Sequence, residues 1–131
     1  MRQIPVGTKG IYHLRVAAEH LASSVNPALP EVMATPIMVL TMEQAAMDAL
    51  VPYMDTGETS VGIGVNVEHL AATPIGHLVR AEAEVIKVDG RRIEFQIAAF
   101  DEHEQIGRGT HGRAIVDLGK FNQRLQPKIR K

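Results

Sequence analysis

The chain reads as an α+β protein in which an antiparallel five-stranded sheet wraps around one long central helix, and three observations predict this. A single segment carries long-helix signals, beginning at Thr35-Pro36 and ending at Pro52. From about residue 59 onward, apolar residues recur at every second position through four successive runs. Between the later runs stand turn signals, Asp89-Gly90 and the "EHE" before Gln105, that join neighbouring strands as hairpins.

Taken in order, "KGIYHLRVAAEHLA" (9–22) alternates imperfectly through Ile11, His13 and Arg15 and predicts a first strand. "SSVNPALPEVMA" holds Pro27 and Pro30 and reads as a loop. In "TPIMVLTMEQAAMDALVPYM", Thr35 before Pro36 matches an N-cap and a first helical position. Ile37, Met38, Leu40, Met42, Ala45, Ala46, Met47 and Leu50 then supply a helix ~24 Å long, apolar on nearly every side and so buried along much of its length. After the turn "DTGET", strands are expected at about 59–69, 77–89, 91–101 and 105–118. One strand, one buried helix and a meander of four strands make a single domain over residues 1–131. A helix this apolar needs more cover than one five-stranded sheet gives, which favours a homodimer whose two sheets join.

Composition narrows the chemistry. With 131 residues, 45% of them hydrophobic and 22% charged, the chain can bury a core but is too short for two ordinary domains. It has no cysteine, which excludes disulfide scaffolds, zinc–thiolate sites and Cys nucleophiles together. The N-terminal segment lacks the apolar core of a signal peptide, and no apolar run approaches the ~18 residues that cross a bilayer. The expected setting is therefore cytoplasmic, away from membranes. A net charge of -1 gives no general reason to expect nucleic acid. After Asp117 no acid follows, while Lys120, Arg124, Lys128, Arg130 and Lys131 crowd a basic tail, either solvated or a hold on a phosphate-bearing ligand.

Several residues break their own pattern. Val61, Ile63, Val65 and Val67 form an alternating face whose next place falls on His69, an imidazole able to act as a general base near neutral pH. Gly62 and Gly64 fall on the opposite face, where close approach to the backbone or a bulge would explain them. Glu43 stands among Val39, Leu40, Ala46 and Met47, so its ionised form is disfavoured unless a donor sits nearby. Thr35 precedes it by eight residues, ~12 Å along the axis and about 80° around it, so the two can line one groove without touching. The backbone N–H groups at the start of the helix can hold an oxyanion or a carbonyl oxygen. "GRGTHG" fits a dinucleotide fingerprint by letter, but it lies inside a strand pattern and not between a strand and a helix. The six histidines, at 13, 20, 69, 77, 103 and 111, form no metal-ligand motif, and neither a metal nor a separate cofactor is expected.

"ATPIMVLTMEQAA", "VGIGVNVEHLAATPIG" and "DEHEQIGRGTHGRAIV" resemble, in order and with compatible spacing from about residue 5 to residue 121, the fluoroacetyl-CoA thioesterase-like branch of the hot-dog thioesterases. The resemblance implies a hot-dog fold and a Thr-Glu-His constellation, Thr35, Glu43 and His69 with Gly62, that hydrolyses an acyl-CoA thioester at a dimer interface. It also implies that Arg113 lies near the CoA portion of the site; CoA would enter as part of the substrate. One departure stands out. Fluoroacetyl-specific members close the acyl pocket with phenylalanines in the loop before the helix, whereas no phenylalanine precedes Phe95 here. Asn26, Leu29 and Val32 would cover the pocket instead, so the acyl group is expected to be short but not fixed as fluoroacetyl.

The mechanism this implies has His69 accept a proton from water or from the Thr35 hydroxyl, with Glu43 orienting or charging the assembly. Gly62 and the helix start meet the developing oxyanion. Arg113 and the basic tail would hold the CoA phosphates. Two other readings use the same residues: a hot-dog enoyl-CoA hydratase or dehydratase, and a non-catalytic acyl-CoA-binding protein.

Overall fold

The computed structural model describes residues 1–129. Helix α2 (Thr35–Leu50) is the piece around which the rest is arranged. It follows strand β1 (Lys9–Arg15) and a one-turn helix α1 (Ala22–Val25), and precedes β2 (Glu58–His69), β3 (Leu78–Asp89), β4 (Arg92–Phe100), β5 (Gln105–Asp117) and a final helix α3 (Leu118–Ile129). All pairings are antiparallel, and the strand order is β1-β3-β4-β5-β2. The concave face of this sheet closes on α2. This is the hot-dog arrangement expected from the sequence.

Period decides which side chains meet. On α2 the buried positions are Met38, Thr41, Met42, Ala45, Ala46, Ala49 and Leu50, a stripe at three- and four-residue spacing. Val79, Ala81, Ala83 and Val85 of β3 and Ile93, Phe95, Ile97 and Ala99 of β4 face it at two-residue spacing. Each large aliphatic or aromatic side chain withdrawn here contributes roughly 1.5–3 kcal/mol. The helix is not covered all round, however. Leu40 is 48% exposed, and Val39, Glu43 and Met47 are only partly covered.

Two expectations are corrected, and one segment gains structure that the sequence reading did not assign. The first strand ends at Arg15, and residues 18–20 form a 3-10 turn that leads into α1. The valine face of β2 is not a continuous core wall: Ile63 is 50% and Val65 46% exposed. A bulge at Ile63 divides the face, since Gly62 pairs with Arg113 and Gly64 with the next residue of β5, Gly112. The inserted residue inverts the alternation, so Ser60 and Gly62 before it share the concave face with Val65, Val67 and His69 after it. Finally, the basic tail is helical as far as Ile129. The side chain of Asp117 accepts a hydrogen bond from Lys120 N at 2.9 Å and caps α3. Leu118, Phe121, Leu125 and Ile129 repeat at helical spacing there. Arg130 and Lys131, also assigned to the tail, lie outside the described residues.

Candidate active site

Two polar clusters lie along α2 where β2 and β5 cover it. At its start, the helix takes Ala34 as N-cap and Thr35 as its first residue, with no side-chain cap. The Thr35 hydroxyl is turned away from the backbone, and its Oγ1 lies 2.7 Å from His69 Nδ1. His69 reaches this place because the bulge has put it on the concave face. Its Nε2 is buried and has no hydrogen-bond partner among the described residues. The helix start itself has little donor capacity to offer. Ala34 N–H bonds to His20 O, Ile37 N–H bonds to Ala34 O, and Pro36 has no N–H. Of the first four residues, only Thr35 has an N–H that makes no hydrogen bond among the described residues.

Beside this pair opens a cavity of about 320 Å³, lined by Ala22, Val32, Met33, Thr35, His69 and Ala71, among others. Its apolar walls mix the larger Met33 and Leu70 with alanines and Val32. Of the three loop residues expected to cover the acyl pocket, Val32 lines this cavity, and Asn26 and Leu29 lie outside its lining. Asn26 Oδ1 accepts Ala28 N–H at 3.0 Å within its own turn, and the Leu29 side chain is exposed. A larger depression of about 410 Å³ crosses β1, β3 and β4, but its polar groups are Gln96 and the charges of Lys9, Glu82 and Glu84, with neither nucleophile nor imidazole.

The second cluster lies two helical turns on. Glu43 projects toward Gly62, where the missing Cβ leaves room for its carboxylate: a Cβ there would stand 2.7 Å from Oε2. The donor whose presence was in question is Arg113, whose Nη1 donates to Glu43 Oε2 at 3.1 Å. Arg113 is 4% exposed. Its Nε donates to Ser60 Oγ at 2.9 Å and its Nη2 to Ser60 O at 3.0 Å. Burial pulls the guanidinium below its usual value, and the Glu43 charge opposes this. Arg113, expected near the CoA portion of the site, thus spends its donors on Glu43 and Ser60 within the chain. Nη1 also lies 3.1 Å from His111 Nε2, and His111 Nδ1 lies 2.7 Å from Gly64 O. Sequence reasoning missed Ser60 and His111. The usable signal was parity, because His111 and Arg113 are two apart on one strand and must share a face.

The structure therefore brings Thr35 to His69, and Glu43 to Gly62 and Arg113, but keeps the two groups apart within one chain. Among the described residues no three His, Asp or Glu side chains are placed to hold a metal ion, and no helix is long and apolar enough to cross a membrane.

A helix gripped by one curled sheet, with a threonine–imidazole pair at the mouth of an apolar cavity, defines a thioesterase of the hot-dog class. The chain belongs, more narrowly, to the fluoroacetyl-CoA-specific thioesterase family, whose model matches residues 16–118. It is 46% identical over 99 residues to the fluoroacetyl-CoA thioesterase of Streptantibioticus cattleyicolor, covering 76% of this chain and 71% of that one. A solved structure of the fluoroacetyl-CoA thioesterase FlK superposes with a TM-score of 0.90 at 37% identity, over 96% of this chain and 98% of that one. A thioesterase superfamily member from Thermus thermophilus gives 0.89 at 30% identity, over 98% and 97% of the two chains. The protein is thus a thioester hydrolase.

Proposed function

We propose that the protein hydrolyses short-chain acyl-CoA thioesters as a homodimer in which each site is assembled from two chains. The observation that carries this reading is the Thr35–His69 contact of 2.7 Å at the mouth of the cavity. A neutral imidazole whose Nδ1 accepts the threonine proton carries its other proton on Nε2, which then needs an acceptor. Glu43 Oε1, free of hydrogen bonds among the described residues, is such an acceptor. On one helix it is ~12 Å too far along the axis.

A two-fold axis supplies the missing approach. β2 is an edge strand with exposed Ile63 and Val65, beside the uncovered Leu40 of α2. Packing two β2 edges antiparallel about a two-fold axis near Val65 brings Gly62 of one chain near His69 of the partner subunit. Glu43 of one chain would then meet the imidazole of the other, and the uncovered side of α2 would gain the cover it lacks. The acyl group occupies the cavity beside Thr35. Its carbonyl oxygen takes the Thr35 N–H and the backbone N–H of the partner subunit's Gly62 as oxyanion donors. His69 removes the proton from Thr35 or from water, and Glu43 holds the imidazolium that forms. The thiolate of CoA leaves without needing a strong acid.

The Streptantibioticus cattleyicolor relative is a fluoroacetyl-CoA thioesterase. Here the cavity of about 320 Å³ is bounded by Met33 and Leu70 as well as Ala22, Val32 and Ala71 and lacks phenylalanine, which supports a short acyl chain without selecting fluorine. The test is free-thiol release from a panel of acetyl-, propionyl-, butyryl- and hexanoyl-CoA. The shorter chains should be cleaved, and Glu43→Ala should lower kcat about 100-fold or more. Parental kcat in Glu43→Ala overturns the assignment of Glu43. Loss of enoyl absorbance with no thiol release would mark a hydratase instead.

A further inference from the structure

We propose that His111, as a neutral imidazole protonated on Nδ1, is the positioning residue that aims Arg113 at Glu43; this rests on the role given above to Glu43. Carbonyl oxygens only accept, so the 2.7 Å contact with Gly64 O requires a proton on His111 Nδ1. Guanidinium groups only donate, so the 3.1 Å contact with Arg113 Nη1 requires a lone pair on Nε2. One protonation state meets both demands. The other tautomer would turn a lone pair on the Gly64 carbonyl and an N–H on Arg113. The doubly protonated ring would keep the first bond and set a cation against Arg113.

The surroundings fix the ring in this role. His111 is buried, its ring stacks on Phe95 of β4 with 6.3 Å between centroids, and the bulge in β2 offers it the Gly64 carbonyl. The charged groups facing it are Glu43 of α2, with Oε2 at 3.8 Å, and Arg113 of its own strand; Gly64 and Ser60 of β2 and Phe95 of β4 bring none. Since Nη1 serves both His111 Nε2 and Glu43 Oε2, the imidazole lone pair sets the direction in which that nitrogen presents its second proton. Uptake of a proton by His111 pushes the guanidinium off, and Glu43 loses the bond that holds it. Burial, reinforced by the Arg113 charge and opposed by Gly64 and Glu43, holds this imidazole below its usual 6.5, so the loss falls on the acid side of that value.

The first measurement is nitrogen-15 NMR of the histidine side chains in the intact protein, with the His111 signals assigned by their absence in His111→Gln. A neutral Nδ1–H tautomer at pH 7.5 that titrates below 6.5 is expected. An Nε2–H tautomer or an imidazolium at pH 7.5 overturns the proposal. The second is kinetic. His111→Gln offers Arg113 a side-chain carbonyl and should keep about a third of the parental kcat at pH 8 while flattening the acid limb. His111→Leu offers none and should lower kcat about 10- to 100-fold with KM little changed. Equal loss in both variants, or parental pH profiles in both, overturns it. If His111→Leu does not fold, the tautomer and the glutamine variant still decide. Parental activity in Glu43→Ala would remove the catalytic reading of Glu43 and leave the tautomer measurement standing.

Discussion

Gly10 and Gly62 lie on the two edge strands, β1 and β2, and each brings α2 close to the sheet, yet they do different work. At Gly10 a Cβ would fall 2.0 Å from Ala45 O and 2.7 Å from Ala49 N, both backbone atoms of the helix. At Gly62 it would fall 2.7 Å from Glu43 Oε2, with Arg113 Nη1 and His111 Cε1 at 3.5 Å. The first neighbour cannot give way without moving the helix, whereas the second is the tip of a side chain. Close approach at β1 is packing, and the same approach at β2 makes a berth for a carboxylate. A glycine is explained by what stands where its Cβ would be.

Gly10→Ala should break this comparison hardest. Overpacking against helix backbone costs about 3 kcal/mol or more, and on the order of 10 °C in Tm, read by thermal melting. The folded fraction should keep its kcat. Thr35→Val comes next, since it keeps the shape and removes the hydroxyl that meets His69. Thioester release should fall about 100-fold. Tm should move by no more than about 2 °C, because Thr35 makes no cap bond. A large fall in Tm would return Thr35 to a structural role. Gly62→Ala should cost about tenfold in kcat with little change in stability, because only the Glu43 carboxylate must shift. If it melts as early as Gly10→Ala, the two edges are alike after all.

Legibility in the sequence followed the range of the forces involved. Strands β3, β4 and β5 came out within a residue or two of their expected limits because their ends are set locally. Gly90 has φ +60 in the β3–β4 hairpin, and Asp101 Oδ1 accepts both His103 and Glu104 N–H in the next turn. Thr35, Glu43, Gly62 and His69 were all legible as oddities, but which of them touch was not. The bulge that puts His69 and Gly62 on one face is decided between β2 and β5, and alternation read along one strand cannot show it. Arg113 was expected near the CoA portion of the site, and its bonds to Glu43 and Ser60 were not foreseen. Its partners stand 70 residues away at Glu43 and 53 at Ser60, a separation no local pattern spans. Helix α3 is a different case. Asp117 and the spacing of Leu118, Phe121, Leu125 and Ile129 were in plain view, but the run of Lys and Arg dominated the reading.

The smallest effect tests whether β2 behaves as one unit. At its first residue, Glu58 accepts hydrogen bonds from the Met1 ammonium at 2.8 Å, Asp55 N–H at 2.8 Å and Arg91 Nη1 at 2.8 Å. The Met1 ammonium first, then Asp55 and Arg91, draw its carboxyl down from 4.5 to about 2. A depressed carboxyl binds fewer protons in the fold than in the unfolded chain. Its stabilisation is therefore complete above 4.5 and is lost as pH falls through about 2. Glu58→Gln removes the titrating group, so its Tm should lie furthest below the parent's from pH 7 to pH 5 and converge on it as pH falls toward 2. Thioester release at pH 7 should be untouched, because Glu58 shares no bond with Glu43, Arg113 or Gly62. A drop in kcat would mean that the anchored start of β2 sets the position of the Glu43 cluster, and that the catalytic end of the strand is held from both sides.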